Sequence, residues 1–105
     1  DLDLLALYDG FSIFVPLWLE AMGLCGHGEA KDLIASGACA PGGRYPVNTG
    51  GGQLSAGRLH GFGLIQEACA QLWGDGGERQ VDGAKLAACG TGGGFIAGSM
   101  LLRRD

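Results

Sequence analysis

The sequence is poor in the features that mark several common classes of protein. Its seven Lys and Arg residues are scattered and outnumbered by eleven Asp and Glu, giving a net charge of −4, so no basic surface of the kind that binds nucleic acid is expected. No apolar run reaches the roughly eighteen residues that a membrane span needs. No basic segment followed by an apolar one indicates a secretory signal. We therefore expect neither nucleic-acid binding nor a membrane span.

The four cysteines do not have the spacing of a metal or redox site. Cys25, Cys39, Cys69 and Cys89 form neither a CxxC pair nor a zinc-finger pattern. We expect reduced thiols, a cytoplasmic location and no bound metal. The chain starts without Met on a predicted strand, and its 105 residues suffice for one core. It is therefore interpreted as a single domain, and as a fragment that lacks an N-terminal half.

Glycine is what the chain has in excess, at 22 of 105 residues against an average near 7%. The glycine-rich stretch from Asn48 to Gly63, called the glycine segment below, passes directly into an apolar helical pattern. A glycine run that leads into a helix lets backbone N–H groups approach a ligand closely. Within the segment only Arg58 and His60 add charge or proton chemistry, so it is predicted to form the floor of a ligand site.

Hydrophobic periodicity predicts an alternation of strands and helices. The apolar run 3–8 is typical of a buried strand, and a helical stripe follows over 11–22, with Ser12 or Asp9 as its N-cap. A glycine-rich link at 90–94 joins two apolar runs and indicates an antiparallel hairpin with a mobile or ligand-facing tip. The order of elements predicts a layered α/β domain. The other predicted elements are a short helix over 29–36, an extended stretch over 45–48, a helix over 64–72 and strands over 84–89 and 95–102.

Three segments resemble the C-terminal domain of the thiolase superfamily in their order and spacing: residues 8–11 (Tyr-Asp-Gly-Phe), 51–58 (Gly-Gly-Gln-Leu-Ser-Ala-Gly-Arg) and 89–94 (Cys-Gly-Thr-Gly-Gly-Gly). The first two are most similar to the lipid-transfer-protein-like branch, which includes steroid side-chain aldolases. The resemblance implies a mixed sheet with helices packed on it, and an acyl-CoA substrate with no cofactor beyond the coenzyme A it carries. It also implies a homodimer, and a small zinc-containing OB-fold partner that binds acyl-CoA.

The chain departs from the thiolase pattern at the positions that carry thiolase chemistry. Arg58 occupies the place of the activating histidine, and His60 lies two residues further on. Gly90 occupies the place of the second catalytic cysteine, with Cys89 displaced by one residue. On a strand, that displacement turns a side chain to the opposite face. The branch that the chain resembles implies a different reaction, retro-aldol cleavage of a β-hydroxyacyl-CoA in sterol or lipid side-chain degradation.

The resemblance assigns a role to each candidate residue. Tyr8 would accept the proton of the β-hydroxyl, Arg58 would favour the phenolate form, and His60 would stabilise the enolate oxygen. In the alternative, a thiolase-type acyltransferase, His60 and Cys89 would replace the usual pair. Phe62 stands where the branch has a second tyrosine, which suggests a third possibility, a non-catalytic acyl-CoA- or lipid-binding subunit. The predicted substrate-binding residues are Gly52, Ser55, Gly57, Phe62, Gly92 and Gly93.

Each candidate also has an ordinary structural explanation. Tyr8 at a strand end can serve packing alone, His60 can be a structural histidine, and Arg58 can be a surface or ion-pairing residue. The residues that contact these side chains in the folded chain decide between the two interpretations.

Overall fold

A mixed three-stranded sheet lies at the centre of the structure, a computed structural model that describes residues 1–105. The strands are β1 (Leu4–Leu7), β2 (Leu86–Gly93) and β3 (Ile96–Arg103), and the helices are α1 (Phe14–Ala21), α2 (Ala30–Ala35), α3 (Gly52–Ala56) and α4 (Phe62–Trp73). The strand order is β1-β2-β3, with β1 parallel to β2 and β2 antiparallel to β3. A 3₁₀ turn over Gly77–Arg79 precedes β2.

The strand β1 is buried on both faces, which explains its uninterrupted apolar sequence. Leu4 and Ala6 pack on the side of α4, whereas Leu5 and Leu7 pack on the side of α1 and α2. On its free edge β1 forms a parallel bridge between Leu5 and Val47. The predicted extended stretch over 45–48 thus lies beside β1 and delivers the glycine segment to the end of the sheet.

Helices cover both faces of β1 and of the adjoining part of β2, whereas β3 is largely exposed. The predicted layered α/β fold is confirmed. The stripe Leu64, Ala68 and Leu72 of α4 packs against one face. Leu19 of α1 and Ala30 of α2 pack against the other. Burial of these side chains, at about 25 cal/mol per Å² of apolar surface, is the main force that holds the layers together. No helix is long and apolar enough to cross a membrane.

The start of α1 differs from the prediction. The helix begins at Phe14, its cap position is Ile13, and no side chain caps it. Ser12 therefore caps nothing, and Asp9 caps α3 instead. Pro16 falls in the first turn, where its missing N–H has no helical partner to lose.

The hairpin is confirmed, but the predicted five-residue loop at 90–94 is wrong. Residues 90–93 belong to β2, Gly93 pairs with Ile96, and only Gly94 and Phe95 form the turn. Gly94 has a φ of +66°, as the first central residue of a type II′ hairpin turn requires. The glycines before it admit the aromatic rings of α1, because a Cβ at Gly90 would lie 2.8 Å from Trp18 and one at Gly93 would lie 2.7 Å from Phe14.

Candidate active site

Tyr8 lies at the carboxyl end of β1, where its backbone N–H donates to the carbonyl of Gly90 at 2.8 Å. Its ring is half-buried against the cluster on the α4 side and its centroid lies 5.9 Å from that of Phe14. The side chain folds over Gly10, where a Cβ would come within 2.6 Å of the hydroxyl oxygen. Since no hydrogen bond in the structure involves that hydroxyl, it is free to bind a ligand.

Asp9 connects the end of β1 to the glycine segment. Its buried carboxylate accepts the backbone N–H of Gln53 at 2.7 Å and that of Leu54 at 3.3 Å. These are free N–H groups at the start of α3, which a carboxylate satisfies well. Gly52 has a φ of +61°, and a Cβ there would overlap the Asp9 carboxylate. This predicted substrate-binding residue therefore lies against Asp9.

Asn48 makes a second connection between the same two segments. Its side-chain oxygen accepts the N–H of Leu7 at 2.7 Å, and its side-chain nitrogen donates to the Leu7 carbonyl at 2.9 Å. Its backbone has a φ of +52°, a left-handed conformation that asparagine adopts more readily than most residues. The side chain thus continues the hydrogen-bond ladder of β1 and fixes the entry to the glycine segment.

The turn that contains Arg58 and His60 lies on the surface beside the end of β2. Both side chains are exposed, and Arg58 forms no ion pair. His60 has a φ of +49°, a strained backbone of the kind that collects at functional sites. A Cβ at Gly61 would lie 2.7 Å from Cγ2 of Thr91, the residue after Gly90. The turn and the end of β1 therefore meet at the same point of β2.

The other predicted substrate-binding residues differ in their access to solvent. Ser55 and Gly57 are exposed at the end of α3, and Phe62, the first residue of α4, is 73% exposed. In contrast, the carbonyl of Gly92 accepts the indole N–H of Trp18 at 3.1 Å, and Gly93 lies under Phe14. The aromatic rings of α1 thus cover one side of β2 at these two glycines.

Cys89 is fully buried in the cluster beneath α4. Burial, together with the nearby Cys69, raises the pKa of its thiol from 9.0 to about 11. Its neighbour Gly90 faces the opposite side, under the ring of Trp18, as expected for adjacent residues on a strand. At neutral pH the Cys89 sulfur is therefore a protonated, enclosed thiol.

A buried polar network that was not predicted from the sequence holds the other side of the glycine segment. The Glu67 carboxylate accepts hydrogen bonds from Thr49 at 2.8 Å, from Gln71 at 2.9 Å and from Arg79 at 2.8–3.1 Å. The side-chain oxygen of Gln71 accepts the N–H of Val81 at 2.7 Å. The sequence does contain a sign of this network. Glu67 and Gln71 fall on the apolar stripe of α4, where a buried polar side chain must find a hydrogen-bond partner.

Glu67 should make stability depend on pH. Burial pushes its pKa up, but hydrogen bonds from Arg79, Gln71 and Thr49 outweigh this and leave the pKa below the ordinary value of 4.5. Because the pKa of Glu67 is lower in the folded than in the unfolded chain, its carboxylate stabilises the fold above pH 4.5. This contribution is lost as the pH falls through the folded-state pKa.

We expect Glu67→Gln to lower the free energy of unfolding at pH 7 by about 1–3 kcal/mol, as charge-assisted hydrogen bonds are lost. The difference in the free energy of unfolding between Glu67→Gln and the wild type should narrow below pH 4.5. Thermal unfolding of the full-length protein between pH 7 and pH 3 measures both effects. A difference in stability that stays constant from pH 7 to pH 3 would contradict the conclusion that the ionised Glu67 carboxylate stabilises the fold.

A cavity of about 150 Å³ lies between α3, α4 and β1. Leu5, Ala6 and Leu64 form its apolar wall, and Thr49, Gln53 and Glu67 form a polar one. No Lys, Arg or His lines it. Elsewhere, too, no group of three or more His, Cys, Asp or Glu side chains is arranged to hold a metal ion.

A mixed sheet whose first strand is covered by helices on both faces, with a glycine segment fixed to the end of that strand, defines a thiolase-like α/β domain. Residues 1–102 match the family model described as "Thiolase C-terminal domain-like". The chain belongs to this family.

The relatives include proteins whose names refer to steroids or sterols. Over 74 residues the chain is 50% identical to the 17-hydroxy-3-oxo-4-pregnene-20-carboxyl-CoA lyase of Mycobacterium tuberculosis, covering 70% of this chain and 19% of the lyase. Over 90 residues it is 43% identical to human sterol carrier protein 2, covering 83% of this chain and 16% of that protein. Among solved structures, the Ltp2-ChsH2(DUF35) aldolase matches with a TM-score of 0.91 and 38% identity, over 98% of this chain and 27% of that one. The chain thus spans about a quarter or less of each of these proteins.

Proposed function

We propose that this chain is the C-terminal part of an enzyme that cleaves a carbon–carbon bond of a β-hydroxyacyl-CoA in sterol or lipid side-chain degradation. The observation that carries the proposal is the free hydroxyl of Tyr8 at the end of β1, beside the turn that bears Arg58 and His60. The lyase and aldolase names of two similar proteins support it.

The proposed reaction needs one base and one site that stabilises negative charge. The Tyr8 oxygen, acting as a phenolate, takes the proton of the β-hydroxyl, the bond between the α- and β-carbons breaks, and the β-carbon becomes a carbonyl. The electron pair passes to the thioester as an enolate, and His60 or backbone N–H groups stabilise its oxygen. The Tyr8 phenol then returns the proton to the α-carbon, which gives the shortened acyl-CoA and restores the phenolate, and no thiol takes part.

The state of Cys89 favours this lyase over a thiolase-type acyltransferase. A catalytic cysteine acts as a thiolate that its substrate can reach, whereas Cys89 is fully buried with a pKa raised to about 11. At Gly90, which resembles the position of the thiolase cysteine, the ring of Trp18 leaves no room for a Cβ. A binding subunit without catalysis remains the second candidate, because Phe62 has no hydroxyl to assist Tyr8 and one relative is a sterol carrier protein.

Two substrates and one variant separate these functions. We expect the full-length protein to release a ketone and a shorter acyl-CoA from a β-hydroxyacyl-CoA with a tertiary, sterol-type alcohol, and to leave a 3-ketoacyl-CoA with free CoA unchanged. Cys89→Ala should keep the first activity within a few-fold. CoA-dependent cleavage of the 3-ketoacyl-CoA, lost in Cys89→Ala, would establish the acyltransferase instead. Inactivity on both substrates with retained acyl-CoA binding would favour the binding subunit.

The surface of the hairpin supports the proposed partners. Phe95, Ile96 and Leu101 are between 68% and 108% exposed, more apolar surface than an isolated strand usually presents to water. We propose that the N-terminal half, or a second copy in a homodimer, covers it. The name of the structural neighbour joins two components, Ltp2 and ChsH2(DUF35), which supports a partner subunit. That this partner is a small zinc-containing OB-fold protein remains part of the proposal. The cytoplasmic location likewise stays a proposal.

A further inference from the structure

Thr91 carries the only hydroxyl of the central strand β2, whose sequence is Leu-Ala-Ala-Cys-Gly-Thr-Gly-Gly. All other side chains of this strand are apolar or absent. Cys89 faces the cluster under α4, so Thr91, two residues further along the strand, points to the same face. A Cβ at Gly61 would lie 2.7 Å from Cγ2 of Thr91, which shows that the threonine faces the turn leading into α4.

The pairing of β1 with β2 places Thr91 beside Tyr8. Leu7 pairs with Gly90 in the parallel register, and the N–H of Tyr8 donates to the Gly90 carbonyl at 2.8 Å. The residues that follow, Tyr8 and Thr91, therefore stand side by side, about 4.8 Å apart in the direction across the strands. Tyr8 also packs on the α4 side of the sheet. Thr91 thus adjoins both the proposed base and the turn that bears His60.

Glycines leave the hydroxyl of Thr91 accessible. Its partner on β3 is Gly98, where even a Cβ would lie 3.7 Å from the hydroxyl oxygen. The side chain is partly exposed, and its hydroxyl makes no hydrogen bond in the structure. The other threonine of the chain differs, because the hydroxyl of Thr49 donates to Glu67 at 2.8 Å. The Thr91 hydroxyl therefore has no role in holding the fold and is free to bind a ligand.

We propose that Thr91 is a further catalytic residue, whose hydroxyl donates a hydrogen bond to the thioester oxygen of the substrate. This inference rests on the proposed function, in which Tyr8 takes the proton of the β-hydroxyl. In the substrate a single α-carbon separates the carbon that bears this hydroxyl from the thioester carbonyl. A substrate that reaches Tyr8 therefore presents its thioester oxygen to a neighbouring position of the site, and Thr91 is the neighbour that offers a side-chain donor.

The chemistry of an alcohol suits this role. A threonine hydroxyl stays protonated at neutral pH, so it donates a hydrogen bond and keeps its proton throughout the reaction. As the bond between the α- and β-carbons breaks, negative charge passes to the thioester oxygen, and a hydrogen bond to a charged acceptor is stronger than one to a neutral carbonyl. Thr91 would therefore bind the transition state more tightly than the substrate, which is what lowers a barrier.

The kinetic test compares Thr91→Val and Thr91→Ser with the wild type in the full-length protein. Valine keeps the branched shape and loses the hydroxyl, whereas serine keeps the hydroxyl and loses the methyl group. We expect Thr91→Val to lower kcat for cleavage of the β-hydroxyacyl-CoA about 10²-fold, as for loss of one oxyanion donor, and Thr91→Ser to stay within a few-fold. A packing role would give the reverse order and would overturn the inference. Thr91→Ala replaces the valine variant if that variant does not fold.

Thr49→Val is the matched control for stability, because it removes a hydroxyl that is hydrogen-bonded to Glu67 at 2.8 Å. It should lower the Tm, whereas Thr91→Val should leave the Tm unchanged or raise it, since valine suits a strand. An equal loss of Tm in both variants would mean that the Thr91 hydroxyl serves the fold, and would overturn the inference.

The infrared band of the bound thioester carbonyl tests the contact without turnover. The protein is Tyr8→Phe, which should bind the substrate without cleaving it, and the β-hydroxyacyl-CoA is isotopically labelled at the thioester carbonyl. Adding Thr91→Val should move the carbonyl stretch to higher frequency, because a hydrogen bond is lost, and adding Thr91→Ser should not. An unchanged band, or no binding, would overturn the inference. The expected shift, with a wild type that cleaves no substrate, would keep this contact and reject the proposed reaction.

Discussion

Replacing Tyr8 with Phe should lower kcat for cleavage of the β-hydroxyacyl-CoA by about 10²–10⁴-fold, the usual contribution of a general base. The change removes only the hydroxyl oxygen, which makes no hydrogen bond in the structure. The ring contacts with Phe14 and with the cluster under α4 are retained. The Tm and the affinity for the acyl-CoA should therefore stay close to those of the wild type. Steady-state kinetics and thermal unfolding of the full-length protein measure these effects.

Tyr45→Phe is the matched control. Tyr45 is the other tyrosine of the chain and is also half-buried, but it packs on the opposite side of the sheet under the guanidinium of Arg44. Its loss of a hydroxyl should leave kcat unchanged. If Tyr8→Phe kept full activity, Tyr8 would be a packing residue and the base would have to be sought elsewhere, first at His60.

The fold could be predicted because each helix and strand has a characteristic pattern of apolar residues in its own stretch of sequence. The unbroken apolar run of β1 and the stripes of α1 and α4 are consequences of burial on two faces and on one face, respectively. The hairpin followed from two apolar runs with glycines between them. Each of these signals needs only neighbouring residues to be interpreted.

The connections of the candidate site could not be predicted in this way, because they join distant residues. Asp9 caps a helix 44 residues away, and Asn48 binds the end of β1 across 41 residues. A sequence pattern assigns a capping carboxylate to the nearest helix, since nothing local shows that residues 45–48 lie beside β1. The sheet pairing brings the true partners together.

The glycines and Glu67 show two other limits. A glycine that allows a mobile loop and one that admits an aromatic ring look the same in a sequence, and Trp18 over Gly90 distinguishes them only in the structure. A Glu on an amphipathic helix is ordinarily solvated. Glu67 is buried because Arg79, Thr49 and Gln71 converge on it, an arrangement that depends on how the connector 75–83 folds back.

Replacing Gly52 with Ala should lower the free energy of unfolding by about 2–4 kcal/mol, from overpacking combined with loss of a helix cap. A Cβ at this position would overlap the Asp9 carboxylate and lie 3.0 Å from the side-chain nitrogen of Asn48. Neither group can retreat without losing its own hydrogen bonds to the backbone of Gln53 or Leu7. Because Asp9 directly follows Tyr8, kcat should fall as well.

Gly28→Ala isolates the cause of this effect. Gly28 and Gly52 both have a left-handed backbone, with φ of +80° and +61°, so either substitution by Ala strains the backbone by about 1–2 kcal/mol. At Gly28, however, no atom lies within 4 Å of the point where a Cβ would stand. Only the one at Gly52 meets Asp9. Equilibrium urea denaturation of the two full-length variants should therefore show a larger loss for Gly52→Ala, and only that variant should lose activity. Equal losses in the free energy of unfolding would mean that backbone strain alone accounts for the effect of Gly52→Ala. The contact between Asp9 and α3 would then not hold the candidate site together.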